Sequence, residues 1–249
     1  LGIMTPSGDH LKIAKPFIEK GIHIVCDKPL TSTISDAESL KKLVNKNKII
    51  FALTHNYSAY PMLREAKKIV TSGKIGKVNL INVEYPQGYT AGIKKKDERK
   101  TLKWRLDKKI SGPSMILSEI GTHAYHLLRY VTELEVKELA AEVNTLSKEL
   151  TVDDNAFVLL RLNNNARGSI WVSSAATGGE NGLKIRVYGT RGAVEWFQDD
   201  PNNLKFTELN KSGKIITRAN NEVSNLSLES SRIAAGHPEG FFEAFANIY

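Results

Sequence analysis

Glu119, His123 and His126 stand at i, i+4 and i+7, with Tyr130 one turn further on, in a stretch from 115 to 131 that reads as a helix. At about 100° per residue these groups share one arc, beside an apolar arc of Ile116, Ile120, Ala124, Leu127, Leu128 and Val131. Histidine titrates near neutrality, and a carboxylate one turn away can fix its ring and raise its basicity, so the polar arc suits acid/base chemistry. Two other readings stay open on periodicity alone. One is a solvated helix face. The other is a zinc or iron site on Glu119, His123 and His126, although the longer-range ligand spacing of a known metal motif is missing. The expectation here is no metal.

A second group lies in Cys26-Asp27-Lys28-Pro29. It follows a short apolar strand from 22 to 26, at the carboxyl end of an expected parallel sheet, where open α/β sheets bind ligands. Lys28 there is either an ordinary solvated lysine or a fixed positive charge that holds a substrate oxygen and stabilises negative charge developing on it. Thr5-Pro6-Ser7 occupies the equivalent position after the preceding strand, and Asp9 and His10 open the helix behind it. Cys26 reads as a small buried hydrophobe, since a strand-embedded thiol gains no stabilisation of its thiolate.

The elements that must position these residues fall into two patterns. Residues 1 to 54 alternate strand, helix, strand, helix, strand with short connections, the pattern of a parallel sheet with crossover helices. Asp9 caps a helix to about Lys20 with Pro16 inside and Gly21 as its stop. Ser35-Asp36-Ala37-Glu38 reads as a capping box before Leu40, Leu43 and Val44. Beyond residue 54, Pro61 and Gly73 bracket one amphipathic helix, and a strand at 80 to 85 precedes a long polar loop from 87 to 108. From 134 onward the chain is strand-rich, at 136–146, 155–162, 166–174, 183–188, 193–197 and 204–208. Asn163-Asn164-Asn165 and Gly189-Thr190-Arg191-Gly192 supply turns, and the short connections imply a largely antiparallel sheet. The expected class is α/β plus α+β: the C-terminal half of a Rossmann-like parallel sheet (1–54), then an α+β domain with a largely antiparallel open sheet (55–249).

Composition narrows the function classes. The 249 residues carry 35 Lys and Arg against 27 Asp and Glu, a formal charge of +8, with 41% hydrophobic side chains. That is globular, and no apolar run is long enough to span a bilayer. Residues 94 to 109 hold nine basic side chains against Asp97, Glu98 and Asp107, with only Trp104 among them as an aromatic. This crowding suits a solvated loop rather than a nucleic-acid face with interleaved stacking platforms. The single Cys26 excludes an intrachain disulfide and fits a reducing compartment, so the cytoplasm is expected. The opening Leu1-Gly2-Ile3-Met4 is not a signal peptide, and both ends read as cut inside structural elements.

Taken in order, Thr5-Pro6 with His10, Val25-Cys26-Asp27-Lys28-Pro29-Leu30, Gly73-Lys74-Ile75-Gly76 and Glu119-Ile120-Gly121-Thr122-His123 resemble the glucose-fructose oxidoreductase / inositol dehydrogenase (Gfo/Idh/MocA) family. Gly236-His237-Pro238-Glu239-Gly240-Phe241 through Ala244-Phe245-Ala246-Asn247 is similar to its sugar-dehydrogenase branch. The resemblance implies a Rossmann domain, an α+β domain whose open sheet mediates homo-oligomers, and NAD or NADP meeting a sugar or polyol between them. It implies Lys28, His123 and Glu119 as catalytic residues, the last in a position that is usually Asp. It implies Thr5, Pro6, His10, Asp27, Lys28, Pro29, Trp104 and Arg105 at the cofactor, and Lys28, Tyr57, Arg105, Glu119, His123 and His237 at the substrate. The reaction implied is hydride transfer from a secondary alcohol, with His123 as base, Lys28 on the reacting oxygen and Glu119 orienting His123 or a neighbouring hydroxyl. Two alternatives remain: a non-catalytic binding or oligomerisation module on the same scaffold, and a metal-dependent hydrolase or lyase. The family's Gly-x-Gly-x-x-Gly turn, which sets backbone amides against the pyrophosphate, is not in this sequence. Weak cofactor affinity and an unpaired sheet edge near residues 1 to 4 are therefore expected of the 249-residue chain.

Overall fold

The computed structural model describes residues 1–94, 103–220, 223, 224, 227 and 240–248. Its first part is a three-stranded parallel sheet in the order β1 (Gly2–Ile3), β2 (Ile24–Cys26), β3 (Phe51–Leu53), with Ile3 paired to Cys26 and Cys26 to Leu53. Helices α1 (His10–Ile18) and α2 (Ile34–Asn47) make the crossovers. Ile3, Ala14, Ile18, Ile24, Cys26 and Leu40 form the core between strands and helices. Cys26 is buried, and burial pushes its thiol up to about 12, as expected of a packing residue.

Two helix starts differ from expectation. Asp9 sits at the N-cap of α1 but makes no side-chain cap hydrogen bond, because a 3-10 turn over Ser7–Asp9 already leads the chain into the helix. For α2 the cap is Thr33, not Ser35: its hydroxyl accepts from the Asp36 amide at 3.1 Å, so the helix begins earlier. Gly21 follows α1 with φ at 74°, the left-handed conformation that glycine enters without a Cβ penalty.

The second part is an eight-stranded sheet in the order β11-β10-β9-β8-β4-β7-β6-β5. The strands are β4 (Val78–Pro86), β5 (Val136–Asn144), β6 (Asn155–Leu162), β7 (Arg167–Ser173), β8 (Lys184–Gly189), β9 (Gly192–Phe197), β10 (Leu204–Glu208) and β11 (Lys214–Ile216). All pairings are antiparallel except β4 with β7. Period-two alternation sets the faces: in β6, Ala156, Val158, Leu160 and Leu162 point to the core while Phe157, Leu159 and Arg161 point out. Helix α3 (Pro61–Thr71), with Pro61 at its first turn, packs on the inner face.

The short helix α4 (Lys108–Ser111) ends the loop after β4, and α5 (Thr122–Thr132) is entered through a π turn over Leu117–Gly121. Met62, Leu63, Ile69, Leu127, Leu128 and Val131 join the sheet's inner residues in one core. Asp153, just before β6, fixes the start of that helical run by accepting from the Met115 and Ile116 amides at 3.0 and 3.2 Å and from the Ser114 hydroxyl. Where the two parts meet, Gly112 has φ at 90°, and a Cβ there would fall 2.5 Å from the Ser32 carbonyl oxygen. This close approach holds α4 against the loop that follows Lys28. Among the described residues no helix is long and apolar enough to cross a membrane.

Candidate active site

The carboxyl ends of β1, β2 and β3 open into a cavity of about 460 Å³ whose opposite wall comes from β4, the π turn and α5. Asp27, Lys28, Tyr57, Arg105, Glu119 and His123 all line it. Six of the residues expected at a site, drawn from five places in the chain, thus meet in one enclosure.

Lys28 leaves the end of β2 and donates from Nζ to the Glu119 carbonyl oxygen at 2.8 Å and to Glu119 Oε2 at 3.4 Å. Arg105 Nε donates to the same Oε2 at 2.8 Å, and its guanidinium lies over the Trp104 ring, 4.5 Å from the centroid. The Glu119 side chain is 9% exposed, so one buried carboxylate is shared by two cations. Asp27 ties β2 to β3, its Oδ1 accepting from the Lys28 amide at 2.8 Å and the Thr54 hydroxyl at 3.2 Å.

His123 lies on the other wall, 7% exposed, with its ring edge-on to Tyr57 at 4.5 Å and to His55 at 5.9 Å. Its Nδ1 is sealed and has no hydrogen-bond partner among the described residues, which leaves Nε2 as the nitrogen able to meet a ligand. Burial, then the nearby Lys28 charge and the other two imidazoles, hold its pKa well below the ordinary histidine value. His55 stacks on His126 at 4.1 Å, with 7° between the ring planes, and His126 stacks in turn on Tyr130 at 6.0 Å. Burial, followed by the neighbouring His126 and Lys28, pushes His55 down to about 3. Burial and then Arg129 push His126 down to about 4.

These observations correct the sequence reading of the stripe. It is not a solvated face. Nor is Glu119 among the groups that shift His123: its carboxylate, in the π turn that leads into α5, is held by Lys28 and Arg105. Among the described residues no His, Cys, Asp or Glu group is arranged to hold a metal ion.

Other expected residues sit elsewhere. His10 is fully buried, with Nε2 2.9 Å from the Thr5 carbonyl oxygen and Nδ1 3.0 Å from the Leu30 carbonyl oxygen, so its ring bridges the loops after β1 and β2. Thr5, Pro6, Pro29 and Trp104 are not among the residues lining the cavity. His237 lies outside the described residues, as do parts of the loop from 87 to 108. The sequence reading missed His55 and Asn56, although both follow β3 in the topological position that Lys28 holds after β2. Of a polar chain along the β4 wall it named only Tyr57, which donates to the Tyr85 hydroxyl at 2.6 Å; Tyr85 donates to Asn181 Oδ1 at 2.6 Å, while Gln87 Nε2 donates to both acceptors.

The arrangement offers a neutral imidazole as proton acceptor, a fixed ammonium group, and an apolar strip of Ile3, Met4 and Val25 along the first sheet. Met4 is 76% exposed, an apolar bed that suits a flat heteroaromatic ring such as a nicotinamide. The residues present fit that end of a dinucleotide.

Comparison with known proteins agrees with this geometry. Residues 1–55 match the family described as "Oxidoreductase family, NAD-binding Rossmann fold", and residues 63–195 match "GFO/IDH/MocA C-terminal domain". The chain is 31% identical over 251 residues to the uncharacterised oxidoreductase YfiI of Bacillus subtilis, covering 100% of this chain and 64% of that protein. It is 28% identical to levoglucosan dehydrogenase of Pseudarthrobacter phenanthrenivorans over 77% of this chain and 53% of the relative. Among solved structures, an inositol dehydrogenase homologue from Azotobacter vinelandii, complexed with NADH and myo-inositol, superposes with a TM-score of 0.90 at 30% identity over 99% of this chain and 63% of that one. The chain therefore spans between about half and two thirds of the length of these proteins.

Proposed function

Because the chain belongs to the GFO/IDH/MocA family of oxidoreductases, we propose that the protein oxidises a secondary alcohol of a sugar or polyol, with NAD or NADP as the hydride acceptor. The observation that carries this reading is His123: a sealed, neutral imidazole facing the same cavity as Lys28, at the carboxyl end of a parallel sheet. A bound nicotinamide supplies the acceptor for the hydride. His123 Nε2 takes the hydroxyl proton. Lys28 Nζ donates to the same oxygen and stabilises its alkoxide character. Glu119 keeps Lys28 and Arg105 in place, and Tyr57, Tyr85 and Gln87 present donors and acceptors to the remaining hydroxyls. Residues 1–54 serve the cofactor side, and residues 55–249 the substrate side and assembly.

The test is NADH or NADPH formation by the protein expressed from its whole reading frame, with a panel of sugars and cyclic polyols. Oxidation of at least one, abolished by His123→Ala, is expected. Failure with every alcohol and both cofactors overturns the reading.

The partner proposed for the open sheet is a second copy of the chain. Leu80, Phe157, Leu159, Trp171 and Tyr188 share its outward face, with Phe157 and Trp171 stacked at 5.9 Å and charged pairs such as Arg186 with Glu84 beside them. An apolar patch rimmed by polar groups suits a homo-oligomer interface, and light scattering after Leu159→Glu is expected to show smaller particles. A cytoplasmic setting agrees with the buried free Cys26.

A further inference from the structure

Four charged side chains line the described cavity: Lys28 and Arg105 against Asp27 and Glu119. Among the described lining residues they cancel in number, and Glu119 meets both cations directly. Glu119 Oε2 stands 3.4 Å from Lys28 Nζ and 2.8 Å from Arg105 Nε, while Asp27 accepts from the Lys28 amide and the Thr54 hydroxyl. The rest of the polar lining among the described residues is uncharged. It includes the Tyr57–Tyr85–Gln87 chain, Thr54, and Asn56, whose Nδ2 is buried without a hydrogen-bond partner among the described residues.

Such a lining treats ligands unequally. A neutral polyol meets donors and acceptors that match its hydroxyls. A phosphate or carboxylate finds both cations already engaged by Glu119 and adds negative charge beside Glu119 and Asp27, where poor screening makes like-charge repulsion strong. We propose that Glu119 is a specificity-determining residue, engaging both Lys28 and Arg105 and, with Asp27, balancing their charge, so that the cavity selects uncharged polyhydroxy substrates over phosphorylated or acidic ones. This rests on the dehydrogenase reading of the site and narrows its substrate class.

The test is calorimetric titration of the whole protein, with NAD present and at low ionic strength. The probes are myo-inositol and D-glucose against D-gluconate and D-glucose 6-phosphate. Wild-type protein is expected to bind a neutral probe ~10-fold or more tightly than either anion. Glu119→Gln is expected to raise anion affinity relative to the neutral probe by ~10-fold, an advantage lost in high salt, and Glu119→Asp is expected to keep the wild-type order. The proposal is overturned if wild-type protein binds an anionic probe as well as the neutral ones, if Glu119→Gln leaves the ratio unchanged, or if no probe binds. Should Glu119→Gln not fold, the wild-type ratio and a further loss of anion affinity in Lys28→Met decide. Heat reports binding without hydride transfer. An inactive protein with the expected ratio therefore overturns the dehydrogenase reading alone, and an active one with no charge preference overturns the role of Glu119 alone.

Discussion

The Lys28–Glu119–Arg105 wall of the cavity and the His123 wall, which His55 and His126 back from behind, treat charge in opposite ways. On the first, opposite charges lie in contact, each with a partner at 2.8 to 3.4 Å. On the second, imidazoles packed among one another and among tyrosines are held neutral by burial. A buried group escapes the cost of lost hydration by pairing or by discharging, and here each wall uses one route. The proposed alcohol oxidation uses both, a fixed cation to steady an oxygen and an uncharged base to take its proton.

Removing either working group should break the comparison most severely. His123→Ala and Lys28→Ala are each expected to lower turnover of the whole enzyme by on the order of 100-fold or more, read as kcat with the best alcohol. An equal rate in either variant removes that residue from the chemistry. Next comes the anion between the cations. Glu119→Ala leaves Lys28 and Arg105 without their shared carboxylate and is expected to cost ~10-fold or more in kcat/KM, whereas Glu119→Asp keeps the charge and should cost much less. If the two are equally impaired, length and not charge is what matters there.

The neutral wall is sharpened by pH. His55 and His126 have folded values of about 3 and about 4, below the ordinary ~6.5 of an unfolded chain, so between these values the unfolded state binds more protons. Stability is therefore complete above ~6.5 and is lost as pH falls towards 4 and then 3. Urea midpoints from pH 7 to 4 are expected to show this slope, and a His55→Phe, His126→Phe double variant should flatten it. By the same sign, the acid limb of kcat/KM attributable to His123 should lie below 6.5. The smallest effects are expected at the edge of the charged wall: Arg105→Ala should raise KM several-fold, and Trp104→Ala, which acts through the guanidinium stacked on it, by less. Unchanged kinetics in both would make that loop a surface feature.

Much of this was legible in the sequence, for reasons that differ by element. Strand order in residues 1 to 54 and the helix from 115 onward follow from hydrophobic periodicity, which burial enforces directly. Lys28 was found by topology, since the end of a parallel strand opens on a ligand site. The Thr33 cap was hidden because Ser35-Asp36-Ala37-Glu38 satisfies the same local pattern two residues later, and only packing selects between them. The π turn left no signal at 100° per residue, so Glu119 was placed against His123 and not against Lys28. His55 carried no signal of its own. Its use depends on His126, 71 positions away, and no local pattern encodes that contact.

The parallel pairing of β4 with β7 bears on how the molecule acquires its shape. Asn82 pairs with Ser169, 87 positions later, and β8 closes the other side of β4. The β5–β6–β7 meander needs only short loops and is expected to form early, whereas β4 must wait for a long loop to close before any contact rewards it. Helix α5 lies in that loop and packs against β4, so His123 meets Tyr85 only when that strand is in place. The cavity is then a late product of folding. A chain stalled before that step exposes Leu127, Leu128 and Val131 together and is at risk of aggregating.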